Sequence, residues 1–267
     1  MVSIVKWGSE TSREFRVPLG VKQGGINSPG FFSVYFDGLM KLLRSGNVGC
    51  HIGRLFLASI FFADDICLIA PTLSSLQRLI TISNEYCNTY GLSFNPKKSK
   101  IMVFSKTVSN YESLRPITLN GTKIDVVHEV KYLGTTIVSS PGFAFSSEPD
   151  LRSFYRAANS VLNVRNNPDK KVLMHLLYAN CVPTLTYACA VKSFPSRELM
   201  DCNTALNDAI RKIFSFNRWD SVRHLRQSYG YKSITEIFAT AKRNFLTSLP
   251  HHKNTILNRL YVINQVE

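Results

Sequence analysis

The chain has 267 residues, 45% of them hydrophobic and 11% aromatic, so it can bury a sizeable core as one large or two small domains, and wholesale disorder is excluded. Thirty-two Lys and Arg against eighteen Asp and Glu give a formal net charge of +14, which favours a polyanionic partner over a merely solvated basic surface. The six cysteines show no C-x-x-C spacing and the six histidines complete no zinc pattern, which points to a reduced intracellular protein; neither a secretory leader nor a membrane span is expected.

Residues 2–17 alternate around Gly8-Ser9 and predict a β-hairpin. A glycine-containing loop, 20-GVKQGGINSP-29, leads to a helix start with Ser28 as N-cap and Pro29 at the first helical position. The helix is predicted over 29–44, with Phe32, Tyr35, Phe36, Leu39, Met40 and Leu43 apolar, Asp37 exposed, and Gly46 and Gly49 ending it. From 55 to 70, two strands rich in β-branched and aromatic residues meet at Ala63-Asp64-Asp65, and the Asp pair is the only charge in that run. A buried carboxylate without a partner is strongly unfavourable or stays protonated. The pair is therefore expected at the exposed tip of a hairpin with buried arms, either as a plain turn or as a ligand for something positive.

Leu73, Leu76, Ile80, Ser83, Cys87 and Tyr90 recur at helical spacing over 73–90, a core-packing stripe with Gly91 as its terminator. The stretch 91-GLSFNPKKSKIMVFS-105 predicts strand, basic turn, strand, and 117–138 predicts a hairpin on Asn120-Gly121. Pro141-Gly142 is a boundary. Beyond it, helices are predicted at 151–165, 169–190, 197–216 and 233–249, the second ended or kinked by Pro183. No internal repeat appears. The expected fold class is α+β: a mixed layer with an antiparallel sheet over 1–140, an all-helical subdomain over 141–249, and a polar tail over 250–267.

The order of these features resembles the reverse transcriptase of non-long-terminal-repeat retrotransposons (long interspersed elements, jockey-like and related clades). Residues 20-GVKQGGINSPGFF-32 are similar to motif B of the polymerase palm and 62-FADD-65 to motif C, the carboxylate hairpin. Residues 92-LSFNPKKSK-100 look like motif D, 130-VKYLG-134 like motif E, and 210-IRKIFSFNRWDS-221 like a thumb helix and its exit. An isolated A-D-D carries little weight; four ordered motifs carry much more.

The resemblance implies a partial palm followed by a thumb-like subdomain, and nucleotidyl transfer with two Mg²⁺ ions held by carboxylates. Asp64 is then the firm metal ligand and Asp65 the lesser one. Gln23 and Gly24 lie beside the incoming dNTP and the template, and Lys98 faces the triphosphate; Lys97, Lys98 and Lys100 read equally well as a solvated turn. Tyr132, Leu133 and Gly134 form the primer grip, or else a core strand. Arg211, Lys212, Arg218, Arg223 and Arg226 contact backbone phosphates of an RNA template and DNA primer, or else form a solvated face. The family's mode of life implies the nucleus and cytoplasm. No oligomeric state is implied.

The sequence departs from the family pattern in several places. Asn27 stands where an apolar residue is usual, and Gly38 where the family often has an Asp. A motif A aspartate is expected upstream of motif B, yet no Asp occurs among the nineteen residues before Gly20. On this resemblance the chain is expected to begin after motif A and the fingers, and to be inactive in isolation. The alternative expectation is a non-catalytic nucleic-acid-binding remnant of a retroelement.

Overall fold

The computed structural model describes residues 2–17, 24–105, 115–139, 142–164 and 168–266. Helices and small sheets are mixed, as expected for an α+β chain, and two compact units separate: Met1–Ser99 with Arg115–Ile124, and Lys100–Leu114 with Asp125–Glu267. Among the described residues no helix is long and apolar enough to cross a membrane.

In the first unit, Lys6–Trp7 pairs with Glu10–Thr11 across Gly8-Ser9, the hairpin expected there. Helix α1, Ser28–Ser45, includes Ser28 and has Asn27 as its capping residue, one position earlier than predicted. Pro29 occupies the first turn, where its missing N–H has no intrahelical partner to lose. Phe36, Leu39 and Leu43 recur every three to four residues and are buried in one core with helix α2, Leu73–Thr89. A capping box opens α2: the Thr72 hydroxyl accepts the Ser75 N–H at 3.2 Å, and the Thr72 N–H donates to the Ser75 hydroxyl at 3.2 Å. Its buried face includes the predicted Ile80, Ser83 and Cys87 together with Leu79 and Tyr86, whereas Tyr90 at the helix end is exposed.

Ser59–Phe62 and Asp65–Leu68 form an antiparallel pair. The arms are not buried throughout as predicted. Ile60 and Phe62 are 47% and 61% exposed, while Phe61, Ile66 and Leu68 pack into the core. Successive strand side chains point to opposite faces, and only the Phe61 face packs into this core. Asn120 and Gly121 both take positive φ, 51° and 72°, in the predicted turn between Thr118–Leu119 and Thr122–Lys123. The strand predicted before the Lys97-Lys98 turn does not form. There the Asn95 carbonyl accepts the N–H groups of Lys98 and Ser99, and Asn95 Oδ1 accepts the Lys97 N–H. An Asn side chain that bonds its own backbone competes with a ladder, and the following proline lacks a donor.

In the second unit, Lys100–Ile101 pairs in parallel with Asp125–Val126, not with a neighbouring hairpin arm. Glu129–Tyr132, Thr135–Ser139 and Phe143–Phe145 form an antiparallel meander. The helices are α3 (Glu148–Leu162), α4 (Lys170–Leu176), α5 (Val182–Thr186), α6 (Ser196–Phe214), α7 (Arg223–Ser228), α8 (Ile234–Ser248) and α9 (Thr255–Val266). Phe154, Met174, Leu177, Leu185, Leu206, Ile210 and Ile234 are fully buried among them. The disruption predicted at Pro183 takes the form of a π-helical stretch, Leu177–Cys181, between α4 and α5. Proline has no N–H and crowds the carbonyl four residues back, so the ladder loosens just before it. Residues 250–267, predicted as a polar tail, contain α9. All six cysteines are free thiols. Burial, aided by Asp150, pushes the Cys202 thiol up to about 11.

Candidate active site

The hairpin register sets where the acidic pair sits. Phe62 and Asp65 are the last paired residues, so Ala63 and Asp64 make the turn and Asp65 begins the return strand. Ala63 holds φ at +49°, a left-handed conformation that side chains disfavour. Ala63→Gly is accordingly expected to stabilise the first unit by about 0.5–1 kcal/mol, the strain relieved exceeding the entropy added to the unfolded chain. A urea midpoint that falls on this substitution would show that the turn is not strained.

Asp64 and Asp65 are both exposed. Neither carboxylate has a hydrogen-bond or ion-pair partner among the described residues. Mg²⁺ takes hard oxygen ligands, typically one or two carboxylates, and keeps several waters or phosphate oxygens. Two adjacent free carboxylates fit that donor set. Among the described residues no group of three or more His, Cys, Asp or Glu gathers, so the tip supplies two protein ligands.

Three more predicted site residues belong to this unit. Gly24 is exposed with φ +78°, and among the described residues nothing lies within 4 Å of where a Cβ would be. Gln23 falls outside the described residues. Lys98 is exposed in the Asn95–Ser99 turn, its ammonium without a partner among the described residues, whereas Lys100 pairs with Asp125 at 2.6 Å.

In the second unit, Tyr132 ends one meander strand, and Leu133-Gly134 is the turn to the next, with φ of 46° and 77°. The Tyr-Leu-Gly segment is thus a strand end plus a two-residue turn. Tyr187, just after α5, braces it. The Tyr187 hydroxyl donates to the Leu133 carbonyl at 3.1 Å, and a Cβ on Gly134 would meet the Tyr187 ring at 2.9 Å. Beneath Tyr187 lies Lys192, whose ammonium is 5.9 Å from the ring centre and pairs with Asp150 at 2.6 Å.

The five basic residues of the thumb-like region differ in their surroundings. Lys212, Arg218 and Arg223 are exposed. Arg211 is half-buried, pairs with Asp208 at 2.7 Å and donates from Nε to the Asp220 carbonyl at 2.9 Å. Arg226 is 8% exposed and donates to Asn207 Oδ1 at 3.1 Å, while its Nε has no partner among the described residues.

Sequence reasoning did not find Tyr187 or Lys192. Nothing in 183-PTLTYACAVK-192 distinguishes a tyrosine that braces a distant turn, and a lysine there reads as solvated. Trp219 was also passed over, although it is one of only two tryptophans and stands among polar neighbours in Asn217–Ser221.

Comparison with known proteins supplies the context. Residues 2–137 match the family model described as reverse transcriptase (RNA-dependent DNA polymerase). The chain is 27% identical over 217 residues to the "Retrovirus-related Pol polyprotein from type-1 retrotransposable element R2" of Popillia japonica, covering 79% of this chain and 35% of that protein. It is 24% identical over 278 residues to the "RNA-directed DNA polymerase from mobile element jockey" of Drosophila funebris, covering 98% of this chain and 29% of that protein. A 92-residue stretch is 36% identical to the "Retrovirus-related Pol polyprotein from type-2 retrotransposable element R2DM" of Drosophila melanogaster, covering 34% of this chain and 8% of that protein. The chain therefore spans about a third or less of the length of these relatives.

Proposed function

The chain belongs to the reverse transcriptase (RNA-dependent DNA polymerase) family, in the company of R2 and jockey retrotransposable elements, and from that premise we propose that Asp64 and Asp65 are metal-binding carboxylates of its polymerase site. The observation that supports this most is the pair itself: two exposed carboxylates, without a partner among the described residues, on a strained tip carried by a hairpin anchored through Phe61, Ile66 and Leu68.

Divalent cations bound there would draw together the attacking 3′-oxygen and the leaving pyrophosphate of the dNTP and offset their charge. The chain's own residues do the rest. Asp64 and Asp65 hold the cations on a short tip with little freedom to move. Gly24, open on its outer side, lets a base or sugar approach the backbone. Lys98 offers a cation to the triphosphate. On this reading the first unit is part of the palm, and the Tyr132-Leu133-Gly134 turn, braced by Tyr187, supports the primer end. The helical part of the second unit acts as the thumb, with Lys212, Arg218 and Arg223 on backbone phosphates of the RNA template and DNA primer. Because the described residues gather only two carboxylates, this chain alone is expected to incorporate no labelled dNTP above background.

Grafting residues 59–68 into the matching hairpin of a jockey polymerase tests the assignment. The graft is expected to keep incorporation, and Asp64→Asn within it to lose at least about a hundredfold. An Asp64→Asn graft as active as its parent would overturn the reading.

A further inference from the structure

We propose that the turn between α6 and α7 is a preformed stacking tip that holds an unpaired base of single-stranded nucleic acid on the indole of Trp219. The proposal deepens the polymerase reading and rests on it for the class of ligand.

The turn is built to project this side chain. Ser215 leaves α6 in a left-handed conformation, φ +57°. The Phe216 N–H returns to the Arg211 carbonyl at 2.9 Å. Asn217 and Asp220 close the turn twice: the Asp220 N–H donates to the Asn217 carbonyl at 3.1 Å, and Asp220 Oδ2 accepts the Asn217 N–H at 2.7 Å. Arg211 then ties the turn to α6 by donating to the Asp220 carbonyl at 2.9 Å. The two residues between the closing pair, Arg218 and Trp219, are thereby held outward. Trp219 is 88% exposed, more than any other large aromatic side chain of the described residues. The Arg218 guanidinium lies 5.5 Å from its ring centre.

An indole on a fixed stalk offers a flat face at low entropic cost. Base stacking on such a face tolerates any sequence, because every base has a π-face. Inside a duplex both faces of each base are already covered, so an unpaired base is the better match. The charge around the tip suits a polyanion. Lys212, Arg218, Arg223 and Lys232 are exposed in this stretch, whose one acid, Asp220, has its carboxylate engaged within the turn, while Arg211 is paired with Asp208 and Arg226 is buried. Phe216, 41% exposed, extends the apolar surface toward Phe214, over which the Lys170 ammonium lies at 5.5 Å.

The test uses the full chain with Trp7→Phe, so that Trp219 alone fluoresces, titrated with oligothymidylate and with a blunt duplex of equal length. Saturable quenching by the single strand is expected. Binding by the variants is read from the fluorescence anisotropy of labelled strand and duplex: Trp219→Ala should weaken single-strand binding by about 5- to 100-fold and duplex binding by less than about twofold, while Trp219→Phe keeps most of the affinity. Arg218→Ala should reduce the salt slope for the single strand by about 0.7. The proposal is overturned if Trp219→Ala binds the single strand like its parent, if it weakens strand and duplex alike, or if the parent shows no quenching. Cation binding at Asp64 is unaffected by this outcome, so failure of the tip and failure of the hairpin assignment are separately visible.

Discussion

Lys192→Ala is expected to destabilise the second unit by about 3–5 kcal/mol, the cost of breaking a buried ion pair from one side. The Lys192 side chain is fully buried and that of Asp150 is 13% exposed, with 2.6 Å between Nζ and Oδ2. The ammonium also lies 5.9 Å from the ring centres of both Tyr187 and Phe194. Truncation leaves the Asp150 carboxylate, 13% exposed, without its counter-charge. Removing both charges is a different matter. Lys192→Met with Asp150→Leu trades the pair for apolar packing and should come within about 1 kcal/mol of the parent. Urea unfolding of Lys192→Met, Asp150→Leu and the double closes the cycle. A single mutant within about 1 kcal/mol of the parent would mean that the pair is solvated. Since Lys192 underlies Tyr187, and Tyr187 holds the Leu133 carbonyl, the single mutant should also loosen the Tyr-Leu-Gly turn.

The second large effect is expected at Gly38, in the middle of α1. Gly38→Asp should cost about 3 kcal/mol or more. A Cβ at this position would meet the Tyr86 hydroxyl at 2.6 Å and its ring carbons at 3.1 and 3.2 Å. Tyr86 is 8% exposed and its hydroxyl donates to the Tyr35 carbonyl at 2.6 Å, so it cannot swing aside without losing that bond. Overpacking of this kind costs about 1–3 kcal/mol, and a carboxylate pressed against a buried phenol adds desolvation. Gly38→Ala separates the two contributions. The helix gains about 1 kcal/mol from alanine, yet the clash should win and leave a net loss. Tyr86→Phe removes the nearest atom and should recover part of it. A Gly38→Ala chain more stable than the parent would show that Tyr86 moves freely. Glycine at position 38 is thus tied to the packing of Tyr86 one helix away.

These two sites show what local sequence carries and what it does not. The acidic hairpin was legible because two carboxylates in an apolar run have few places to be. Helices α1 to α6 and α8 followed from the helical recurrence of apolar side chains, and α1 and α2 also from their Pro29 and Gly91 signals. By contrast, the partner of Lys100–Ile101 is a strand some 25 residues away, and no alternation pattern names it. Leu133 takes a positive φ that leucine does not advertise, so a turn was read as a strand. α7 spans only six residues, too few for a periodic signal. α9 was hidden behind the polar run His251 to Asn254. Lys192 and Arg226 were unreadable for a shared reason: a charge is buried only when tertiary structure brings its partner, and the partners, Asp150 and Asn207, lie 42 and 19 residues away. At the candidate site, residue type singled out Asp64 and Asp65 as candidate ligands, whereas Tyr187 emerged only from three-dimensional contact.

The central claim is that Asp64 and Asp65 bind a divalent cation. Titrating the isotope-labelled chain with Mn²⁺, as a paramagnetic substitute for Mg²⁺, while following backbone amide signals tests it most directly. Signals of residues 62–66 should broaden first, excess Mg²⁺ should restore them, and Asp64→Asn should abolish the effect. Broadening elsewhere in the chain, or the same broadening in Asp64→Asn, would contradict it.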